Sequence, residues 1–374
     1  MDDEPPHLSR RHRMASRGRA WPCAVALGAA LWMPPAGAQT ATKAPATAAG
    51  QHLRIVGGLA GLNQFNRHEE PFWATELARL SGGRHSAEIV PFDRAGIRAA
   101  EMLSLMRLGV VPFGTALLAA STTRDPDLGA VDLAALNPDI AALRRNVAAF
   151  RPYLETTLRE RYNIELLAVY TYPAQVTFCK QPITGLSSLA GRRVRTSGAS
   201  QADWVEALGG TSVVTGFAEI MSNMRAGNID CAITGTMSGH TIGLFESTSH
   251  LHTMPVTWGL SVFGANSAAW AQLPADLKAL IKRELPRVEE AIWLEAERET
   301  GEGIACNTGD AACTSHNRKG RMTAVRESPA DERQRREIFE SVVLPRWLQR
   351  CGNACASTWN QTLAPGSGLT ARSP

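Results

Sequence analysis

The sequence has no G-x-G-x-x-G loop; its glycines fall at helix ends and turns, so the usual cradle for a dinucleotide phosphate is absent. It has no G-x-S-x-G elbow and no Ser/His/Asp set that stands out from its neighbours, which removes the usual signature of a serine nucleophile. His68, His85, His240, His250 and His252 are scattered or lie at loop edges. His250 and His252 share a strand face, yet no Asp, Glu or Cys cluster accompanies them, so neither a metal nor a cofactor is expected. Beyond residue 38 there is no run of Lys and Arg, which argues against nucleic acid as a partner. Beyond the N-terminus no apolar run approaches membrane-spanning length, so the chain cannot by itself carry a solute through a bilayer. No short-period repeat is present.

What is there begins with an export signal. Arg10, Arg11, Arg13, Arg17 and Arg19 precede an apolar run from Ala20 to Met33, closed by Pro34 and Pro35. Ala36-Gly37-Ala38 then offers a small-x-small cleavage site, so residues 1–38 read as a signal peptide that directs the chain to the periplasm. Setting these aside leaves 34 basic against 32 acidic side chains, a net charge near +2 in place of +4 for the whole. Residues 39–52, rich in Ala and Thr, read as a flexible leader. Six cysteines remain after the signal, and an even number in an oxidising compartment points to disulfides. Cys306 with Cys313 and Cys351 with Cys355 are close enough for short loop-closing bridges. Cys179 and Cys231 lie in apolar strand-like runs and are either bridged or simply buried.

With 374 residues and 44% hydrophobic content, the chain can build two cores. Strands are expected at 53–57, 87–91 and 110–113, with helices near 70–80 and 97–108 between them. This β-α-β-α-β order indicates an α/β lobe with a largely parallel sheet. Helices near 140–150 and 152–162 follow, then a second α/β unit. Its strands fall at 165–170, 175–179, 193–196, 213–214 and 229–233, with helices at 202–208 and 217–226. A strand pair or one long strand occupies 252–265, and a long helix, bent at Pro286, runs over 273–300.

The informative stretch lies within 172–239. It contains GLSSLAGRRVRTSG, then ALGGTSVV, then FAEIMSNMRAGNIDCAITG. In this order the pieces resemble the C4-dicarboxylate-binding type of solute-binding protein of tripartite ATP-independent periplasmic (TRAP) transporters. That family carries DLkGlKiR, then aLGa-x-pv, then fsEvy-x-aLqtGvvDg; Gly185–Asp230 follows the pattern almost without gaps, and a weaker likeness covers roughly 53–300. The resemblance implies an α/β, two-lobe periplasmic binding protein fold with a central ligand cleft and a long helix bracing both lobes. Lobe 1 would comprise 53–172 and 259–295, lobe 2 would comprise 173–258 and 296–350, and 351–374 would form a C-terminal tail. It further implies a small-molecule carboxylate as ligand and membrane-embedded TRAP permease subunits as partners, with no catalysis.

The family's defining Arg falls on Arg195. A planar guanidinium gives a carboxylate two parallel N–H donors, fixing orientation as well as charge. The plainer reading, a solvated basic edge, is kept for Arg192 and Arg193. Where family members often place an Asn this chain has Thr234, followed by Thr236; where some place a second Arg it has the neutral Gln175. The hydroxyls at 234 and 236 can still hydrogen-bond a carboxylate but put the family's usual ligand in doubt, and the neutral Gln175 favours a monocarboxylate, or a keto or hydroxy acid, over a highly charged diacid. The opposite wall is expected from residues just past strand ends: Phe65 and Glu69, then Phe92 and Asp93, then Thr115, with Trp258 at the second crossing between lobes. Core packing for the aromatics and helix capping for Asp93 are the alternatives. Two rival functions share the same cleft: a periplasmic receptor that presents its ligand to a sensor or chemotaxis protein, and an enzyme on the same fold. Neighbouring permease genes would separate out the first, and turnover of a bound acid the second.

Overall fold

Apolar residues alternate with polar ones through His52–Gly57 and Ser86–Pro91, and the chain pairs these as parallel strands β1 and β2. The computed structural model describes residues 50–314 and 318–372. The signal peptide and the leader up to residue 49 lie outside the described residues. β3 (Phe113–Leu117) joins β1 in parallel. It starts later than the apolar run at 110 promised: Gly109, at φ +74°, turns the chain, Val110 is left exposed, and Asn266 reaches the Pro112 carbonyl from the neighbouring strand. Helices α1 (Leu77–Leu80), α2 (Met102–Arg107) and α3 (Leu118–Ser121) fill the connections.

The two helices expected at 140–150 and 152–162 are one helix, α4 (Ile140–Tyr162), capped by the Asp139 carboxylate and carrying Pro152 inside. Pro152 cannot donate to the turn before it, but Phe150, Leu154 and Leu158 are fully buried and hold the helix across the lost bond. β4 (Ile164–Thr171) then runs antiparallel to β10 (Leu260–Asn266), giving a five-stranded sheet in the order β2-β1-β3-β10-β4.

The second sheet has six strands in the order β11-β9-β5-β8-β6-β7. β5 (Gln175–Cys179) is antiparallel to both β8 (Cys231–Gly235) and β9 (His250–Thr257). β6 (Arg193–Thr196), β7 (Thr211–Val214) and β8 are mutually parallel, and β11 (Thr323–Val325) adds in parallel to β9. Helices α5 (Ala199–Ala207), α6 (Ile220–Ala226) and α7 (Thr236–Thr241) serve this sheet. The apolar run at 252–265 therefore holds two strands rather than one long strand, but the two do not pair with each other. Gly259, at φ +74°, breaks it, and its two halves belong to different sheets.

The chain passes between the sheets at 172–174 and again at 258–259. After the short α8 (Ser267–Gln272) comes α9 (Ala275–Thr308), which touches both halves. Its first turns bury Leu277 and Ile281 in a cluster with Leu53, Phe72 and Phe263 of the first sheet's side. Its last turns press against α7. There Gly303 is required, because a Cβ would lie 2.3 Å from the Met237 nitrogen. The remainder does not trail off as a tail: α10 (Pro329–Ile338), α11 (Leu344–Cys351), α12 (Asn353–Thr362) and α13 (Ala364–Ser367) are packed helices, the last two resting on α4. Three disulfides are formed among the described residues, Cys179–Cys231, Cys306–Cys313 and Cys351–Cys355. The first links directly opposed residues of β5 and β8.

Candidate functional site

Burial does not alternate along β6: Arg193, at its first position, lies at the surface paired with Asp230, whereas Arg195 is buried to 4% exposure. The Arg195 guanidinium is met only by backbone: Nε and Nη2 donate to the Thr215 carbonyl at 3.0 and 2.8 Å, and Nη1 donates to Ile233 at 2.8 Å. Among the described residues no carboxylate forms an ion pair with it. Burial pulls its pKa down to about 10, with distant Glu219 opposing, so it is still a cation at neutral pH. Beside it the Thr215 hydroxyl oxygen is buried without a partner. A desolvated cation facing only neutral carbonyls is costly, and it is the arrangement that an incoming anion relieves.

Gln175 begins β5 and belongs to a polar knot. Its Oε1 accepts from Gln201 Nε2 at 2.7 Å and from the Thr257 hydroxyl at 3.0 Å; Gln201 in turn accepts from the Ser197 amide at 2.8 Å. Gly259 lies against it, and a Cβ there would fall 2.3 Å from Gln175 Nε2. Thr234 is buried in β8, and Thr236 donates its hydroxyl to the Glu299 carbonyl at 3.0 Å, fixing α7 on α9.

The first-lobe candidates mostly turn inward. Glu69 is fully buried and accepts from the Gly58 amide (3.0 Å), the Thr115 hydroxyl (2.7 Å) and Gln64 (2.7 Å). Burial raises its pKa against these bonds. Glu69 and Thr115 thus hold the loop after β1 in place rather than presenting themselves to a ligand. Phe65 lies under Gly57, and Phe92 sits in the main core with Leu59, Met102 and Leu103, so both are packing residues. Asp93 is exposed and accepts from the Ala60 amide at 3.0 Å, tying the loops after β1 and β2 together rather than capping a helix. Trp258 is buried and donates Nε1 to the Asn137 carbonyl at 3.1 Å.

Two recesses lie where the halves meet. The larger, about 560 Å³ of empty space including its mouth, is lined from the first half by Leu118, Leu128 and Asp132, from the second by Ser197–Gln201, and by Thr257 and Gly259 of the crossing. Trp347 and Arg350 of α11 complete it. Arg195 and Gln175 are not among its walls; Ser197, two residues beyond Arg195, and Gln201, bonded to Gln175, are. Asp132 accepts from the Gly259 amide at 2.7 Å and from the Trp258 amide at 3.0 Å, and burial pushes its pKa up to about 7. The smaller recess, about 320 Å³, lies by the 172–173 crossing between Asn63, Gln64, Ser238 and the α9 residues Glu295 and Glu299. There Glu299 bonds Asn63, and burial lifts its pKa to about 7. Gln64 Oε1 and the Tyr172 hydroxyl are buried without partners. Sequence reading missed Asp132, Gln201 and Glu299: the first lies in an irregular turn, and the other two read as ordinary helix positions.

Two sheets joined by two strand crossings and one long helix, with a motif-bearing Arg near the junction, define a known architecture, and the sequence matches bacterial extracellular solute-binding protein family 7 over residues 64–331. The chain belongs to that family. The match takes in both crossings and Arg195 and ends in the first turn of α10, leaving β1 and the helices α11, α12 and α13 outside it. Solved structures agree in fold. DctP7 of Bordetella pertussis, an extracytoplasmic solute receptor binding pyroglutamic acid, superposes with a TM-score of 0.72 at 19% identity, covering 84% of this chain and 99% of that one. A Shewanella oneidensis TRAP periplasmic solute-binding protein with bound succinate gives 0.70 at 18%, covering 83% and 98%. One from Haemophilus influenzae with bound L-gulonate gives 0.69 at 12%, again covering 83% and 98%. Among curated proteins nothing matches. As a family 7 protein the chain is a solute-binding protein with the two-lobe α/β fold.

Proposed function

We propose that this solute-binding protein captures a small organic acid in the periplasm and delivers it to the membrane subunits of a TRAP transporter. The observation that carries this reading is the buried Arg195 guanidinium, which has carbonyls around it and, among the described residues, no carboxylate paired with it. A ligand carboxylate taking its remaining N–H donors would offset the desolvation of both charges. Pyroglutamic acid, succinate and L-gulonate, held by the structural relatives named above, are all small acids of this kind. Gln175 in place of a second cation favours a ligand with one strongly held carboxylate.

The moving bodies are lobe 1 (53–172 and 259–295) and lobe 2 (173–258 and 296–350). Crossings at 172–174 and 258–259 act as hinges, and closure over the acid distinguishes the loaded form for the permease. No helix among the described residues is long and apolar enough to cross a membrane, so transport needs that partner. Three disulfides suit an oxidising compartment and agree with the export signal read at residues 1–38. A thermal-shift screen of carboxylic acids tests the proposal, run on wild type and Arg195→Ala together. A stabilising acid that loses its effect in the variant supports it; a protein indifferent to every acid, or a variant that responds like wild type, refutes it.

A further inference from the structure

The C-terminal segment is the part that the family pattern explains least, and its contacts divide between the two halves. It leaves the second half at α10, where Asp331 accepts from the Leu186 amide at 3.0 Å. The helical run that ends in α11 then lies along α5. From α11, Arg350 reaches Asp203 of α5 with both guanidinium nitrogens, at 3.0 and 2.5 Å. Three residues earlier on the same helix, Trp347 donates Nε1 to the Pro126 carbonyl of the first half at 2.8 Å. Cys351, the next residue, is bridged to Cys355, which fixes the turn into α12. α12 and α13 rest on α4, and Trp359 packs against Trp347 with ring centroids 5.8 Å apart. One short helix is therefore held to both halves at once, directly over the larger recess.

This connection differs from the others. The crossings at 172–174 and 258–259 and α9 are continuous chain and can flex, whereas α11 spans the halves by side-chain contacts that separation must break. Asp203 is 5% exposed, so losing Arg350 leaves a buried carboxylate with only the weaker contact of Arg346 at 3.5 Å. Trp347, 2% exposed, lines a recess whose apolar walls also include Leu118, Leu128, Val131 and Leu260.

We propose that α11 is a third wall of the ligand site, with Trp347 packing against the body of the bound acid and the Arg350–Asp203 pair holding the closed form together. The proposal rests on the solute-binding reading above, but one arm of its test needs no ligand. Arg350→Met is compared with Arg346→Met; Arg346 lies one turn earlier, pairs with Glu206 at 2.8 Å, approaches Asp203 only to 3.5 Å with one nitrogen, and stays outside the recess. Asp203→Asn breaks the same pair from the other side and must reproduce the effect of Arg350→Met, which separates loss of the pair from misfolding of one variant. Small-angle scattering of the ligand-free proteins is expected to give a larger radius of gyration for Arg350→Met and Asp203→Asn than for wild type and Arg346→Met. Calorimetric titration with pyroglutamate, succinate and orotate is expected to show Kd raised about tenfold in Arg350→Met and Trp347→Ala, and less than twofold in Arg346→Met, for each acid that wild type binds. Unchanged scattering, or affinities within twofold of wild type in Arg350→Met, overturns the proposal. If wild type binds none of the three acids, the carboxylate reading is what suffers, and scattering alone decides the role of α11.

Discussion

Replacing Arg195 by Met separates binding from folding, because binding responds strongly and folding hardly at all. In the ligand-free protein the substitution removes a buried charge that meets only the Thr215 and Ile233 carbonyls. Removing such a charge relieves desolvation, while the bereaved carbonyls cost roughly 1–3 kcal/mol, so the net change in stability is small. Binding has no such compensation. Truncating one partner of a buried, hydrogen-bonded charge pair costs about 3 kcal/mol, or about a hundredfold in Kd. At a ligand concentration a hundred times the wild-type Kd, ligand stabilises wild type by about 2.7 kcal/mol. The same concentration is then only about equal to the variant's Kd and stabilises it by about 0.4 kcal/mol. Thermal melts with and without acid, backed by calorimetric titration, read both numbers. A variant that still gains more than half of the wild-type ligand shift refutes the reasoning.

Burial lifts the folded pKa of Glu299 to about 7 against an ordinary 4.5. Its contribution to stability is thus present below about pH 4.5 and lost as pH rises through 7; Glu299→Gln keeps an acceptor for Asn63 and escapes that loss. Urea denaturation should find the variant more stable than wild type by roughly 2–3 kcal/mol at pH 8, with the difference gone by pH 4; a constant difference across this range counts against the buried-acid reading. Replacing Cys179 and Cys231 by Ser opens a bridge spanning 52 residues and should cost about 4 kcal/mol, against about 2 for the bridge between Cys351 and Cys355, spanning 4. Equal losses in guanidinium unfolding would contradict the loop-length argument. Gly303→Ala puts a methyl group into the backbone of α7 and should lower stability by about 1–3 kcal/mol, seen as a lower melting temperature; an unchanged Tm would mean that α7 and α9 are free to move apart.

The architecture was legible because alternation of strand and helix survives in the sequence, and because the pattern around Arg195 joins a strand, a turn and a helix in fixed order. Local rules failed where tertiary packing overrode them. Pro152 reads as a helix end, yet buried side chains on either side carry α4 through it. The run at 252–265 reads as one apolar unit, and only Gly259 divides it between two sheets. Residues expected at a ligand because they lie just past strand ends turn instead into the protein or toward neighbouring loops. Glu69 and Thr115 turn toward each other inside the first half, and Asp93 serves the neighbouring loop. Contacts made across long sequence distances, such as those of Arg350 with Asp203 and of Trp347 with Pro126, leave no periodic trace and needed coordinates.

Central to the account is a carboxylate that completes the coordination of the Arg195 guanidinium. A crystal structure of the protein grown with whichever acid stabilises it in the screen tests this directly. The account predicts ligand carboxylate oxygens within hydrogen-bonding distance of the guanidinium nitrogens. An acid seated elsewhere, with Arg195 still bonded to the Thr215 and Ile233 carbonyls alone, would contradict it.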